Sequence, residues 1–250
     1  MKHQMLSIVY RLLLCSGCIG LCHEVTAQES AFYNEVQAFK AQDKSLMPPK
    51  HAILFIGSSS FTKWVDVQDY FPRHIIVNRA FGGSSLPDVI RYANTVIFPY
   101  QPKQIVIYCG ENDLASKDSI TTTILFSRFK KLFQLIRRRM PGVPVAYVSM
   151  KPSIKRIKLI PKIIQGNALI KNFLATRPAT VFINVFDKML DQDGLVMPDI
   201  FLADSLHMNA KGYAIWQKVM EPYLLPSTPP LKGGHGDGPT GVKELLKTKQ

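Results

Sequence analysis

The sequence predicts a three-layer α/β/α sandwich built on a five-stranded parallel sheet. Five short segments rich in Val and Ile recur along the chain, and their nearly continuous apolarity is typical of parallel strands buried on both faces. Segments of helical length separate them, and such alternation of strands and helices is typical of a doubly wound sheet. The chain has 250 residues, of which 46% are hydrophobic, so one domain of this kind can bury a full core.

The predicted strands span residues 52–56, 75–77, 105–108, 145–149 and 181–185. We expect them to lie side by side in the order 2-1-3-4-5. In a doubly wound sheet the functional groups lie in loops at the carboxyl ends of the strands. Residues that carry chemistry should therefore come directly after these segments.

Five helices are predicted around the strands. The helix at 86–97 begins after two serines and carries Pro87 in its first turn, where proline is tolerated. The helix at 119–140 has an apolar stripe on one face, formed by Ile124, Leu125, Phe129, Leu132, Phe133 and Ile136. The remaining predicted helices span 31–42, 160–175 and 210–223.

Both ends of the chain differ from the predicted domain, which spans residues 28–225. Residues 1–27 resemble a secretory signal peptide, with a basic start, a short apolar segment and small residues up to Ala27, after which we expect cleavage. The expected location is secreted or periplasmic, with no stable membrane span after cleavage. An uncleaved anchor and a lipid anchor at Cys18 are alternatives. Residues 226–250 are rich in Pro and Gly, and we expect a flexible basic tail.

Basic residues outnumber acidic ones, and the chain carries a formal net charge of +13. Such a charge attracts polyanions, but it is spread along the chain and no nucleic-acid-binding motif accompanies it. We therefore expect a solvated basic surface without a specific nucleic-acid partner. Cleavage after Ala27 leaves Cys109 as the only cysteine, and we expect it to be a buried, inert thiol.

Four short polar patterns follow predicted strands. They are Gly57-Ser58-Ser59-Ser60, Gly82-Gly83-Ser84, Gly110-Glu111-Asn112-Asp113 and Asp204-Ser205-Leu206-His207. Each pattern is weak alone, because Gly, Ser and Asn are common in turns and at helix ends. Their shared position after the first, second, third and fifth strands indicates one site.

The residue types at these positions suit acyl transfer. A serine hydroxyl such as that of Ser59 needs a base to take its proton, and His207 is placed to be that base. Asp204 lies three residues before His207, so one helical turn can bring the two side chains together and let the carboxylate orient the imidazole. The developing oxyanion needs donors. The candidates are the Asn112 side-chain amide and the backbone N–H groups of Gly83 and Ser59.

These residues resemble the four sequence blocks of the SGNH (GDSL-type) hydrolases, which supply Ser, Gly, Asn and His. The blocks match at Ser59, Gly83, Asn112 and His207, with Asp204 completing an Asp-x-x-His arrangement. The resemblance implies a flavodoxin-like sandwich, ester hydrolysis through an acyl-enzyme, and no metal or other cofactor. The first block departs from the family's Gly-Asp-Ser, because Ser58 replaces the Asp. Ser59 keeps the nucleophile's position, so Ser58 and Ser60 are expected to be turn or cap residues.

Other functions fit the sequence less well. An ordinary α/β-hydrolase needs Gly-x-Ser-x-Gly, whereas Phe61 follows the three serines. A metallohydrolase needs further ligands with metal-binding spacing beside Asp204 and His207. A non-catalytic glycan-binding module is a further alternative, with the Ser-rich loops binding anions.

The substrate expected for this site is a glycan ester or a small-molecule ester, and O-deacetylation of a carbohydrate is the favoured reaction. The loops at the strand ends are short and polar, and Lys151, Ser153, Lys155 and Arg156 follow the fourth strand, where they could also favour acidic glycans. The alternatives are a lysophospholipase and a broad short-chain esterase. Three charged residues beside the patterns, Arg79, Glu111 and Asp113, are expected to be structural.

Overall fold

The computed structural model describes residues 31–226, whose five strands form one parallel sheet. The strand order is β2-β1-β3-β4-β5, as the sequence predicted. The bounds are β1 Ile53–Gly57, β2 Ile76–Asn78, β3 Gln104–Tyr108, β4 Val145–Val148 and β5 Thr180–Ile183. The predicted signal peptide at 1–27 and all of the predicted tail except Pro226 lie outside the described residues.

The strand bounds differ from the predicted ones by one or two residues. Ser149 and Val185 were predicted as strand residues, but both lie beyond the strand ends. There the Ser149 Oγ accepts hydrogen bonds from the backbone N–H groups of Val185 and Phe186, at 3.0 and 3.1 Å. A side chain thus takes the place of the backbone ladder at this end of the sheet.

Eight α-helices accompany the strands within the described residues. All five predicted helices are present: α1 Tyr33–Ser45, α4 Leu86–Val96, α6 Thr122–Arg139, α7 Ile160–Ala175 and α8 Ala210–Met220. The last helix was predicted to end at residue 223, but α8 ends at Met220 and a 3₁₀ turn follows at Glu221–Tyr223. Three short helices were not predicted, because so few residues show no helical periodicity; they are α2 Ser59–Thr62, α3 Val67–Tyr70 and α5 Glu111–Ser116.

The core forms two layers, one on each face of the sheet. Leu54 and Ile56 of β1 belong to a cluster with residues of α1, α4, α6 and α7. Ile53 and Phe55 belong to a second cluster, which includes the two buried tryptophans, Trp64 and Trp216. Neighbouring residues of a strand point to opposite faces, so each strand supplies both layers. This explains why the strands are apolar without interruption.

Gly57 at the end of β1 is the point where three segments meet. Its φ of +128° is unfavourable for a residue with a side chain, and a Cβ there would lie 1.9 Å from the Tyr108 carbonyl oxygen. The Gly57 carbonyl accepts hydrogen bonds from the Phe81 N–H at 3.1 Å and the Ser84 hydroxyl at 2.9 Å. The next residue, Ser58, donates its N–H to Tyr108 O at 2.9 Å. These bonds join the ends of β1 and β3 to the loop after β2.

We predict that Gly57→Ala lowers the free energy of unfolding by more than about 2 kcal/mol, through backbone strain and the clash with Tyr108. Urea denaturation followed by circular dichroism measures this change. The matched control is Gly142→Ala, where a Cβ would meet nothing within 4 Å, so its stability should stay within about 0.5 kcal/mol of the parent. Similar midpoints and slopes for both variants would contradict the steric argument.

Candidate active site

Ser59 is the accessible member of the three adjacent serines. It begins α2, directly beyond the turn at Gly57, and is half-buried. Ser58 and Ser60 are both 2% exposed. The Ser59 hydroxyl lies 3.1 Å from His207 Nε2. The structure therefore places Ser59, and neither of its neighbours, within hydrogen-bonding distance of the histidine.

Asp204 and His207 share a closed loop that is not helical. An antiparallel bridge between Phe201 and Met208 closes the loop, and Ser205 at its tip has a φ of +56°. Asp204 Oδ1 accepts the backbone N–H groups of Leu206 and His207, at 3.0 and 2.9 Å. The sequence correctly predicted that the side chains meet, but the predicted helical turn was wrong, because the Asp204 carboxylate itself organises the turn. Residues 184–203 also separate this loop from β5.

The Asp204 carboxylate is held in its ionised form. Its Oδ2 lies 2.6 Å from His207 Nδ1. The hydrogen bond from the imidazole and those from the backbone N–H groups hold the pKa of Asp204 well below its usual range. An ionised carboxylate accepts a hydrogen bond from Nδ1–H, so in the neutral imidazole the lone pair at Nε2 faces the Ser59 hydroxyl.

The candidate oxyanion donors lie beside this line of residues. Asn112 is on α5, and its Nδ2 donates to Ser84 O at 3.1 Å. Gly83, with a φ of +74°, directly precedes Ser84, which is bonded to Gly57. Within residues 31–226, no acceptor is found for the backbone N–H of Ser59 or Gly83.

A buried charged cluster lies under the site. The Glu111 carboxylate accepts hydrogen bonds from Lys151 at 3.2 Å and from Arg156 at 3.1 Å, and it also contacts the Tyr108 hydroxyl. Burial alone would raise the pKa of Glu111, but the two cations more than offset it and lower the pKa below its ordinary value. Burial lowers the pKa of Lys151 and raises that of Tyr108.

A small pocket lies beside Ser59. Polar side chains dominate its lining, which consists of Ser58, Ser59, Ser60, Tyr108, Glu111, Asn112, Lys151, Arg156 and Leu206. The pocket therefore lies next to both Ser59 and Asn112. No group of three or more His, Cys, Asp or Glu side chains in residues 31–226 is arranged to hold a metal ion.

The comparisons with known proteins identify the family of this chain. Residues 54–215 match the model of the GDSL-like lipase/acylhydrolase family. The chain belongs to this family. The SGNH resemblance is thereby confirmed, and the family implies an enzyme that hydrolyses esters. No relative among curated proteins matches the chain.

Solved structures of other proteins share the fold. A candidate platelet activating factor from Streptococcus pneumoniae is 20% identical, with a TM-score of 0.67 over 89% of this chain and 99% of its own. A GDSL-like lipase from Bacteroides thetaiotaomicron is also 20% identical, with a TM-score of 0.64 over 75% and 96%. A catalytic variant of an acetylxylan esterase from Geobacillus stearothermophilus is 13% identical, with a TM-score of 0.56 over 70% and 94%.

The candidate site also contains contacts that the sequence did not predict. Lys151 was expected as a polar group available to substrate, but it is 1% exposed and paired with Glu111. The position of Lys151 after β4 correctly predicted that it lies near the site. Its ion pair was not predictable, because Glu111 is forty positions away in the sequence. Arg156, on the 3₁₀ segment Ile154–Leu159, donates to both Glu111 and Asn112.

Two of the flanking charged residues have the structural roles expected of them. Arg79 pairs with Asp43 at 2.5 Å. Asp113 accepts hydrogen bonds from the backbone N–H of Leu86 and from Arg128, so it connects α4 and α6 to the segment after β3. Glu111 is structural through its ion pairs, but it also lines the cavity. Cys109 is a buried free thiol, and burial raises its pKa well above the ordinary value.

We predict that Lys151→Met lowers the free energy of unfolding by about 3 kcal/mol, because it takes one partner from a buried carboxylate. Chemical denaturation monitored by tryptophan fluorescence measures the loss. Lys211→Met is the matched control: it makes the same exchange in the exposed pair with Asp199, where solvent screens the interaction, and should change stability little. Equal losses in the two variants would show that the Lys151 pair is no more important than an exposed one.

Proposed function

We propose that the protein is a serine esterase in which Ser59, His207 and Asp204 form the catalytic triad. The observation that carries the proposal is the continuous line of hydrogen-bonding groups from Ser59 Oγ through the His207 ring to Asp204, with distances of 3.1 and 2.6 Å. His207 takes the Ser59 proton as the hydroxyl attacks the ester carbonyl, and then gives it to the leaving alcohol. Water, deprotonated by the same imidazole, hydrolyses the acyl-enzyme.

The oxyanion formed at each step is bound, in this proposal, by three donors: the N–H groups of Ser59 and Gly83 and the Asn112 side-chain amide. Two features support this assignment. The two N–H groups have no acceptor within residues 31–226, and Asn112 lines the same cavity as Ser59. Donors fixed before the reaction stabilise the developing charge without reorganising.

We predict that Ser59→Ala abolishes hydrolysis of p-nitrophenyl acetate, lowering kcat by at least about 10⁴-fold, because no neighbouring group can replace the attacking oxygen. Ser60→Ala, which removes the adjacent hydroxyl, should retain a readily measured rate. Steady-state release of p-nitrophenol by the two purified variants makes the comparison. The triad assignment fails if Ser59→Ala remains active, or if Ser60→Ala alone loses activity.

For the substrate, we propose a short acyl group on a carbohydrate, removed by O-deacetylation. The small, polar cavity beside Ser59 supports a short acyl chain, because a long alkyl chain would need a larger apolar channel. The acetylxylan esterase neighbour removes such a group, although at 13% identity it shares only the fold. The apparent signal peptide supports an enzyme that meets its glycan in the periplasm or outside the cell.

We predict that purified residues 28–250 hydrolyse acetyl esters faster than longer acyl esters and release acetate from acetylated oligosaccharides. Initial rates on p-nitrophenyl esters of increasing chain length, acetylated glycans and lysophospholipids give the comparison. Preference for long acyl chains or lysophospholipids, without acetate release from any glycan, would refute the carbohydrate proposal and leave the triad untouched.

A further inference from the structure

The Asn112 side chain is held from both sides. Its Nδ2 donates to the backbone carbonyl of Ser84 at 3.1 Å, and its Oδ1 accepts a hydrogen bond from Arg156 Nη2 at 2.7 Å. An amide nitrogen has two N–H groups. The bond to Ser84 uses one of them, so the other is available to a substrate oxygen.

The two partners specify one orientation of this amide. If it were rotated by half a turn, Oδ1 would face the Ser84 carbonyl and the NH₂ group would face the Arg156 guanidinium. That arrangement would place one acceptor against another and one donor against another. The terminal torsion of an asparagine is otherwise broad and nearly two-fold, so without Arg156 the amide has far less to keep its N–H groups on the Ser59 side.

Arg156 is itself fixed in place. Its side chain is 17% exposed, and its Nη1 donates to the buried Glu111 carboxylate at 3.1 Å. The neighbouring residue, Lys155, donates its backbone N–H to Ser205 O at 3.1 Å, in the loop that carries His207. The guanidinium therefore contacts two adjacent residues, Glu111 and Asn112. The segment that carries it is hydrogen-bonded to the loop of His207.

We propose that Arg156 is a positioning residue, which holds the Asn112 amide with an N–H directed at the oxyanion. This inference deepens the proposed function and rests on it for the role of Asn112. A hydrogen bond from a charged donor also polarises the amide and strengthens its remaining N–H as a donor. Because the oxyanion exists only in the transition state and intermediates, losing Arg156 should lower kcat and leave KM nearly unchanged.

The test is a double-mutant cycle measured with p-nitrophenyl acetate. Asn112→Ala should lower kcat by roughly 10²–10³-fold, and Arg156→Met by about 10–100-fold, the value of a hydrogen bond to a charged group. If Arg156 acts through Asn112, the double variant should be within about threefold of Asn112→Ala alone. A double variant that loses the full product of both factors would overturn the proposal.

Two further variants separate positioning from charge and from general damage. Arg156→Lys keeps the charge but lacks the planar fork that reaches Glu111 and Asn112 together, so it should remain impaired. Full recovery of kcat in that variant would overturn the proposal in favour of charge alone. Lys158→Met removes an exposed cation from the same segment and should leave the rate unchanged. A raised KM at constant kcat in Arg156→Met would make Arg156 a substrate-binding group instead.

A readout independent of catalysis keeps this inference distinct from the proposed function. In ¹⁵N-correlated NMR spectra, the Asn112 side-chain NH₂ signals, identified by their absence from Asn112→Ala, should shift in Arg156→Met and not in Lys158→Met. Unchanged signals would overturn the positioning role whether or not the protein turns over esters. Activity retained in Ser59→Ala would refute the proposed function without altering this spectroscopic result.

Discussion

The close approach of β1 and β3 at Gly57 is the constraint on which the site depends. A side chain cannot fit there, since its first carbon would lie 1.9 Å from Tyr108 O. The absence of a side chain lets Ser58 bond directly to the end of β3, while the Gly57 carbonyl holds Phe81 and Ser84. The segments carrying Ser59, Gly83 and Asn112 are thereby fastened to one another by hydrogen bonds at the ends of the strands.

The charged cluster extends this fastening to the segment after β4. Taking a carboxylate out of water is costly, and the cost is offset only by close partners. Glu111 meets that need with Tyr108 at the end of β3 and with Lys151 and Arg156 in the segment after β4. One consequence is that these contacts stabilise the buried Glu111 carboxylate. Another is that a guanidinium is brought to the Asn112 amide, so the same ion pairs that bury a charge also orient a polar group at the site.

Much of this architecture could be predicted from the sequence. The strands are continuously apolar and the long helices have apolar residues at helical spacing, and both patterns are visible in the sequence. The polar patterns at strand ends indicated where the site lies. Asp204 and His207 were correctly paired because they lie three positions apart in the sequence. The shape of their loop was not predictable, since its turn depends on backbone bonds to the Asp204 carboxylate. Nor was the contact of Arg156 with Asn112, because it joins positions 44 residues apart.

The central claim is that Ser59 forms a covalent bond with the acyl group of the substrate. It is tested most directly by quenching the protein with acid during turnover of p-nitrophenyl acetate and mapping its peptides by mass spectrometry. We predict a single acetyl group, located on Ser59 and absent from Ser59→Ala. An acetyl group on another residue that appears and decays at the turnover rate, or rapid release of p-nitrophenol from a protein that is never acetylated, would contradict it.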